Sequence, residues 1–125
     1  MRSIQYVMSK ADLNQRLNSA YEITLSVKGR KSGKDIARPV WFVHEGNTLY
    51  LVPVQGPDTN WYKNFLANQT LKISVSGGEE ISARGKSITD SSKVRDIMSK
   101  FGSKYGDGDI RRYYPKPEVA VEVPL

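Results

Sequence analysis

"YEITLSVKGRKSGKDIARPVWFVHEGNTLYLVPV", residues 21–54, reads as three strands joined by two turns. Tyr21, Ile23, Leu25 and Val27 alternate with polar neighbours, which is the two-residue period of a half-buried strand. "IARPVWFVH" (36–44) reads as a second strand. Pro39 inside it predicts a sheet edge or a bulge, because proline has no N–H to give to a ladder. Glu45-Gly46-Asn47 supplies turn chemistry before a third strand over 48–54, so these two form a hairpin. Strands that follow one another through turns, without crossover helices, exclude a doubly wound parallel sheet.

The flanking sequence completes this plan. Ser9 followed by Asp12 has the pattern of a capping box, and Leu13 and Leu17 recur at helical spacing, which predicts a helix over 9–20. "GPDTNWYKNFLANQ" (56–69) opens on turn formers and continues with Trp61, Phe65 and Leu66, which predicts a helix over 60–67. "LKISVS" (71–76) and "EEISARGKSI" (79–88) flank Gly77-Gly78 as a further hairpin. Asp90 caps a third helix with an apolar face of Val94, Ile97, Met98 and Phe101. "GSKYGDGDIRRYYPKPE" (102–118) reads as a loop, and "VAVEV" (119–123) as a closing strand. The expectation is a mainly β, α+β fold: one domain over 1–125, a six-stranded antiparallel barrel with short covering helices.

A chain of 125 residues supports one shared core, and 38% hydrophobic with 26% charged residues is the composition of a folded protein rather than a disordered one. With no cysteine there is no disulfide scaffold, thiolate nucleophile or cysteine metal site. The opening stretch has neither an apolar run of signal-peptide length nor a membrane span, so the expected compartment is cytoplasmic. Asn68-Gln69-Thr70 matches a glycosylation acceptor by chance alone on that reading.

The net charge of +6 favours anionic partners. Residues 28–38 concentrate it, with Lys28, Arg30, Lys31, Lys34 and Arg38 against the single acid Asp35. A loop that holds phosphate needs glycines for close approach of backbone N–H groups, and cationic or hydroxyl side chains to complete the shell. Gly29, Arg30, Lys31, Ser32, Gly33 and Lys34 supply all of these. The spacing is not that of a Walker A loop, because three residues separate Gly29 from Gly33 and Asp35 follows Lys34, which argues against nucleotide hydrolysis. A solvated basic hairpin tip is the alternative reading of the same residues.

"GRKSGK" (29–34), "PVWFVHEGNTLYLVPV" (39–54) and "NWYKNFLAN" (60–68) together resemble the deazaflavin-dependent nitroreductase family, over roughly residues 20–76. The resemblance implies a split β-barrel akin to the FMN-binding pyridoxamine-phosphate oxidases, coenzyme F420 as cofactor, and a homodimer. It implies that Arg30, Lys31, Ser32 and Lys34, with Gly33 in the loop, hold the cofactor's phosphate and acidic tail. Pro39, Val40 and Trp41 would then line the ring, Asn64 would make a polar contact, and Trp61 and Tyr62 would pack beside it. Family members commonly follow the basic turn with Pro-Arg. This chain has Asp35-Ile36 there, and its arginine comes later, at Arg38. Val54-Gln55-Gly56-Pro57 also stands where relatives often carry a small or hydroxyl residue followed by paired glycines.

The implied chemistry is hydride transfer from the reduced deazaflavin to an organic acceptor such as a quinone or nitroaromatic. It requires no catalytic triad, and a chain without cysteine whose one histidine is His44 can build neither Cys–His chemistry nor a multi-histidine metal site. His44, at a strand end, reads as a surface residue. Phenols are the remaining proton donors. Tyr113 and Tyr114 are the catalytic candidates and Tyr105 their neighbour, on a stretch that could close over an acceptor as a lid. Glu79-Glu80 reads as a solvated turn, and Asp107 and Asp109 lack the twelve-residue pattern of a calcium loop. Three other readings fit the same residues: an FMN-binding reductase on the same barrel, a noncatalytic cofactor carrier, and a barrel that binds single-stranded nucleic acid. The last is disfavoured because the positive charge is local rather than a stripe.

Overall fold

The computed structural model describes residues 10–75, 78 and 80–125. Its elements are α1 (Lys10–Ser19), β1 (Ile23–Lys28), β2 (Asp35–Val40), β3 (Val43–Glu45), β4 (Thr48–Leu51), a 3-10 turn (Gly56–Asp58), α2 (Asn60–Ala67), β5 (Thr70–Ser74), β6 (Ile81–Arg84), β7 (Lys86–Ile88), α3 (Ser91–Tyr105), α4 (Asp107–Tyr113) and β8 (Ala120–Pro124). They form two four-stranded antiparallel sheets, ordered β2-β1-β5-β6 and β3-β4-β8-β7. The expected six-stranded barrel is therefore corrected in two respects: among the described residues there are eight strands, and their two sheets do not close into one barrel. The six expected stretches are all there. Two of them, 36–44 and 79–88, break in the middle and contribute one strand to each sheet, so β2 continues into β3 through Trp41-Phe42 and β6 into β7 through Gly85.

Each corner has a steric cause. The backbone N–H of Gly85 donates to the Gln69 carbonyl at 3.0 Å, and a Cβ on Gly85 would lie 2.7 Å from the Phe65 ring, so only glycine lets the strand turn against α2. At the other corner Phe42 is fully buried, while β2 before it runs along a sheet edge with its residues largely exposed. Pro39 sits on that edge strand, where a missing N–H costs no ladder bond.

The inward residues of both sheets, Ile23, Leu25, Val27, Leu49, Leu51, Leu71, Ile73, Val121 and Val123, bury one core, closed by Leu17 of α1 and by Trp61 and Phe65 of α2. The alternation read in 21–28 holds from Ile23 to Val27, but Tyr21 precedes the strand and is 69% exposed. On α2 the buried face is Trp61, Tyr62, Asn64 and Phe65, whereas Leu66, expected inside, is 51% exposed. A second apolar cluster forms where Val94, Ile97 and Phe101 of α3 pack on Val43, Val52 and Ile88. Asp90 caps α3 as expected, accepting from the Ser92 and Lys93 amides at 2.9 and 3.4 Å.

The stretch 102–118, expected to be a loop, is helical as far as Tyr113 and irregular only after it. α3 runs on to Tyr105, Gly106 turns the chain at φ 96°, and α4 follows at once, with Asp107 and Asp109 in its first turn and Arg111 and Arg112 in its last. That charge order complements the helix dipole at both ends. The expected cap at Ser9 and the turn residues Ser76, Gly77 and Glu79 lie outside the described residues.

Gly85→Ala is expected to destabilise the fold by about 1–3 kcal/mol, because the new methyl overpacks the Phe65 ring. A denaturant midpoint equal to that of the wild type would show that this corner has room.

Candidate cofactor site

The basic tip joins β1 to β2, whose last ladder pair is Lys28 with Asp35. The Asp35 carboxylate ties the hairpin base to the sheet, lying 3.4 Å from Lys28 Nζ and 3.0 Å from Lys72 Nζ on β5. The Lys72 hydrogen bond is the main influence holding its carboxyl below the ordinary carboxylate range. Inside the tip, the Gly29 amide donates to the Lys34 carbonyl at 2.8 Å and the Gly33 amide to the Gly29 carbonyl at 2.9 Å. Gly33 takes a φ of 69°, the left-handed conformation that glycine adopts without strain. Asn64 of α2 fixes the tip from below. Its Oδ1 accepts from the Arg30 amide at 3.1 Å and from Arg30 Nη1 at 2.7 Å. Asn64 is buried, so this pair decides where the Arg30 guanidinium points.

Two cavities open beside this tip. One, of about 310 Å³, is lined by the expected residues Arg30, Lys31, Ser32, Arg38 and Asn64. The other, of about 500 Å³, has Pro39, Val40, Trp41, Trp61, Tyr113 and Tyr114 on its walls. Arg38 and Asn60 line both, so the cationic cavity and the aromatic one meet at those residues. Arg38 Nε is buried and has no hydrogen-bond partner among the described residues. Gly33 and Lys34 line neither cavity: Gly33 shapes the turn, and the Lys34 side chain stands outside on the hairpin tip. Tyr62, expected beside the ring, instead points into the core region and shares a 2.6 Å hydrogen bond with Ser87 on β7. Asn60, Gln55 and the acids Glu22 and Asp58 were not foreseen. Residues 55–60 carry only turn and helix-start chemistry in the sequence, and which cavity a turn faces is set by the fold.

The Trp41-Phe42 corner sets the aromatic wall. The Tyr105 hydroxyl accepts from the Phe42 amide at 3.0 Å and lies 2.7 Å from the Tyr21 carbonyl and 2.9 Å from the Phe42 carbonyl, either of which can take its proton. The Tyr105 ring stacks on Trp41 at 4.3 Å with an interplanar angle of 3°. Tyr113 meets Trp41 edge-on at 5.4 Å and is 49% exposed. Tyr114 is buried against Phe101. Burial raises both the Tyr105 hydroxyl, to about 12, and the Tyr114 hydroxyl, further above its ordinary value. Lys104 Nζ donates to the same Phe42 carbonyl at 2.9 Å and sits 3.6 Å over the Phe42 ring. Burial pulls this ammonium down to about 8. His44, read as a surface residue, is part-buried: Nδ1 lies 2.9 Å from Asn18 Oδ1, and Nε2 is buried without a partner among the described residues.

Two four-stranded sheets bent across shared corners, with a cationic cavity adjoining an aromatic one at Arg38 and Asn60, define a split-barrel protein with a candidate ligand groove. The chain belongs to the family described as "Uncharacterized protein conserved in bacteria (DUF2255)", whose model matches residues 12–121. No curated protein matches it. Among solved structures it is similar to an F420-H2 dependent reductase, with a TM-score of 0.64 and 18% identity over 82% of this chain and 93% of that one. A putative 5-nitroimidazole antibiotic resistance protein from Bacteroides thetaiotaomicron matches with a TM-score of 0.72 and 17% identity, covering 94% of this chain and 80% of that one. A putative pyridoxamine 5'-phosphate oxidase from Listeria innocua matches with a TM-score of 0.65 and 17% identity, covering 91% and 90%. The split-barrel fold implied by the sequence resemblance is thus the fold found. Among the described residues no helix is long and apolar enough to cross a membrane.

Two outcomes follow from this geometry. Asn64→Ala is expected to free the tip, costing about 1–3 kcal/mol and speeding exchange of the Arg30 amide, which loses its acceptor. Unchanged exchange at Arg30 would show the tip is held by other contacts. Lys104 gives a pH test. In the folded protein it releases its proton near 8, and in the unfolded chain near its ordinary 10.5, so across that window the unfolded chain holds more protons and stability rises with pH. Lys104→Met is expected to lack that rise in urea melts across the window, and equal slopes in the two proteins would place the ammonium in solvent.

Proposed function

We propose that this chain is an oxidoreductase that binds the deazaflavin coenzyme F420 and passes its hydride to a small organic acceptor such as a quinone or nitroaromatic. The observation that carries this reading is the junction of a cationic cavity with an aromatic one at Arg38 and Asn60. A flat heteroaromatic head with an anionic tail has that same division of chemistry. The buried Arg38 Nε, without a partner among the described residues, is a donor awaiting an acceptor at that junction. The fold shared with an F420-H2 dependent reductase supports the assignment.

In this reading Arg30, Lys31 and Ser32 hold phosphate and acidic oxygens, with Arg30 aimed by Asn64. Arg38 neutralises charge where tail meets head. Pro39, Val40, Trp41 and Trp61 form the wall for the ring, and Lys34 extends the positive surface beyond the cavity, where only a ligand longer than one phosphate would reach it. The bound coenzyme supplies the hydride chemistry; the chain orients the ring, excludes water from one face and balances its charge. Of the two candidate proton donors, Tyr113 stands half-exposed on the rim, while burial makes the Tyr114 hydroxyl a weaker acid than usual. Tyr113 is therefore the better placed, with Tyr114 shaping the wall. Among the described residues the outer edge of β2 has no neighbouring strand, and Ile36 on it is 39% exposed, which suits pairing with a second copy as a homodimer.

Titration of deazaflavin fluorescence tests the reading. Arg30→Ala, Lys31→Ala and Arg38→Ala are each expected to weaken binding by about 1.5–3 kcal/mol as charge-assisted bonds are lost. Unaltered affinity in all three variants would refute the placement. A tightly held yellow chromophore with one phosphate would assign FMN instead, and binding without reduction of any acceptor would assign a carrier.

A further inference from the structure

A second cleft, of about 450 Å³, lies between the end of α1, β3 and α3. Leu17 and Val43 give it an apolar floor, and His44, Glu45, Lys100 and Lys104 stand around it. None of its lining residues is shared with the proposed cofactor groove. We propose that this cleft binds a small organic monocarboxylate, its carboxylate on the Lys104 ammonium and its short apolar body on Leu17 and Val43.

The charges select the ligand. Lys100 is already answered by Glu45 at 2.9 Å and by Asp96 at 3.9 Å. Lys104 is part-buried, yet among the described residues no carboxylate lies within ion-pair distance of it, and its partners are the Phe42 carbonyl and the Phe42 ring. A cation taken partly out of water without a counter-ion is costly, and the downward pull of burial on Lys104 expresses that cost. An ammonium has three N–H donors and the Phe42 carbonyl takes one, so two remain for a carboxylate.

Counting the ion pair of Lys100 and Glu45 as neutral leaves one positive charge in the cleft, which matches a monoanion. Glu45 on the same wall opposes a second negative charge, so a phosphate dianion is a poorer fit. The apolar floor adds a favourable surface for a hydrocarbon body, which an inorganic ion would leave bare.

Isothermal titration calorimetry of the full chain with sodium butyrate, butyramide and inorganic phosphate tests the proposal. Butyrate is expected to bind saturably in the millimolar range, with butyramide and phosphate weaker by about tenfold or more. Lys104→Met is expected to weaken butyrate by about tenfold or more, while Lys93→Met, on the exposed side of α3, leaves it unchanged. A readout on the unmutated protein guards against a variant that misfolds: acylation of the Lys104 amine by an amine-reactive reagent, followed by mass spectrometry, is expected to slow as butyrate is added. Three results would each overturn the site: no saturable butyrate binding, butyrate no tighter than phosphate or butyramide, or Lys104 acylation indifferent to butyrate.

Discussion

The fold turns on one backbone position. Phe42 leaves the edge strand β2 and enters the second sheet, and at that bend its amide and carbonyl cannot both continue a ladder. The Tyr105 hydroxyl takes the amide and Lys104 answers the carbonyl, so two consecutive residues of α3 hold the corner closed. A buried peptide group left without these partners would cost the price of its desolvation, about 1–3 kcal/mol for each unmet group. The corner also decides how Trp41 is presented, because the residue before Phe42 stacks face to face on the same tyrosine. One helix end thus fixes a strand break and a wall of the candidate groove.

Much of this architecture is legible in the sequence because its signals are local. Alternation in 23–27, the Gly46-Asn47 turn, the spacing of Trp61 and Phe65, and the Asp90 cap each depend on residues a few positions apart. The two corners are not local. "IARPVWFVH" and "EEISARGKSI" read as unbroken strands because nothing in their own pattern announces that Trp41-Phe42 meets Tyr105, or that Gly85 meets Phe65. Gly85 was visible, but a glycine inside a strand signals a bend only once its partner across the core is known. α4 was missed for a related reason: its glycines and tyrosines dilute the helical period, and what sustains the helix is Ile110 and Tyr114 packing on α3 together with the charge order along its length.

The candidate site divides in the same way. The cationic tip stands out in a linear reading because its residues are contiguous, and Arg38 could be singled out by its position on the strand that follows. Asn64 was expected to touch a ligand; its carbonyl oxygen is already committed to Arg30, so its first role is to aim that guanidinium. Lys34 belongs to the tip in sequence but not to the cavity, since the glycine turn at Gly33 carries it outward. Asn60, which lines both cavities, is brought there by the 3-10 turn and the start of α2, an approach that no spacing rule encodes.

The distribution of tyrosine hydroxyls bears on what kind of chemistry the groove can do. Tyr105 has committed its hydroxyl to backbone and is held far from ionising near neutral pH, and burial makes Tyr114 a weaker acid still. A site that relied on strong general-acid catalysis would hold its donor near the working pH, and these two phenols are shifted the wrong way. What they do supply is rigidity: Tyr105 and Tyr113 contact Trp41 from different directions, one face to face and one by the edge. A fixed aromatic wall orders a flat ligand far better than it ionises one. On the proposed reading the groove serves positioning and charge matching, which suits a transfer whose bond-making chemistry resides in the ligand, with Tyr113 half-exposed at the rim.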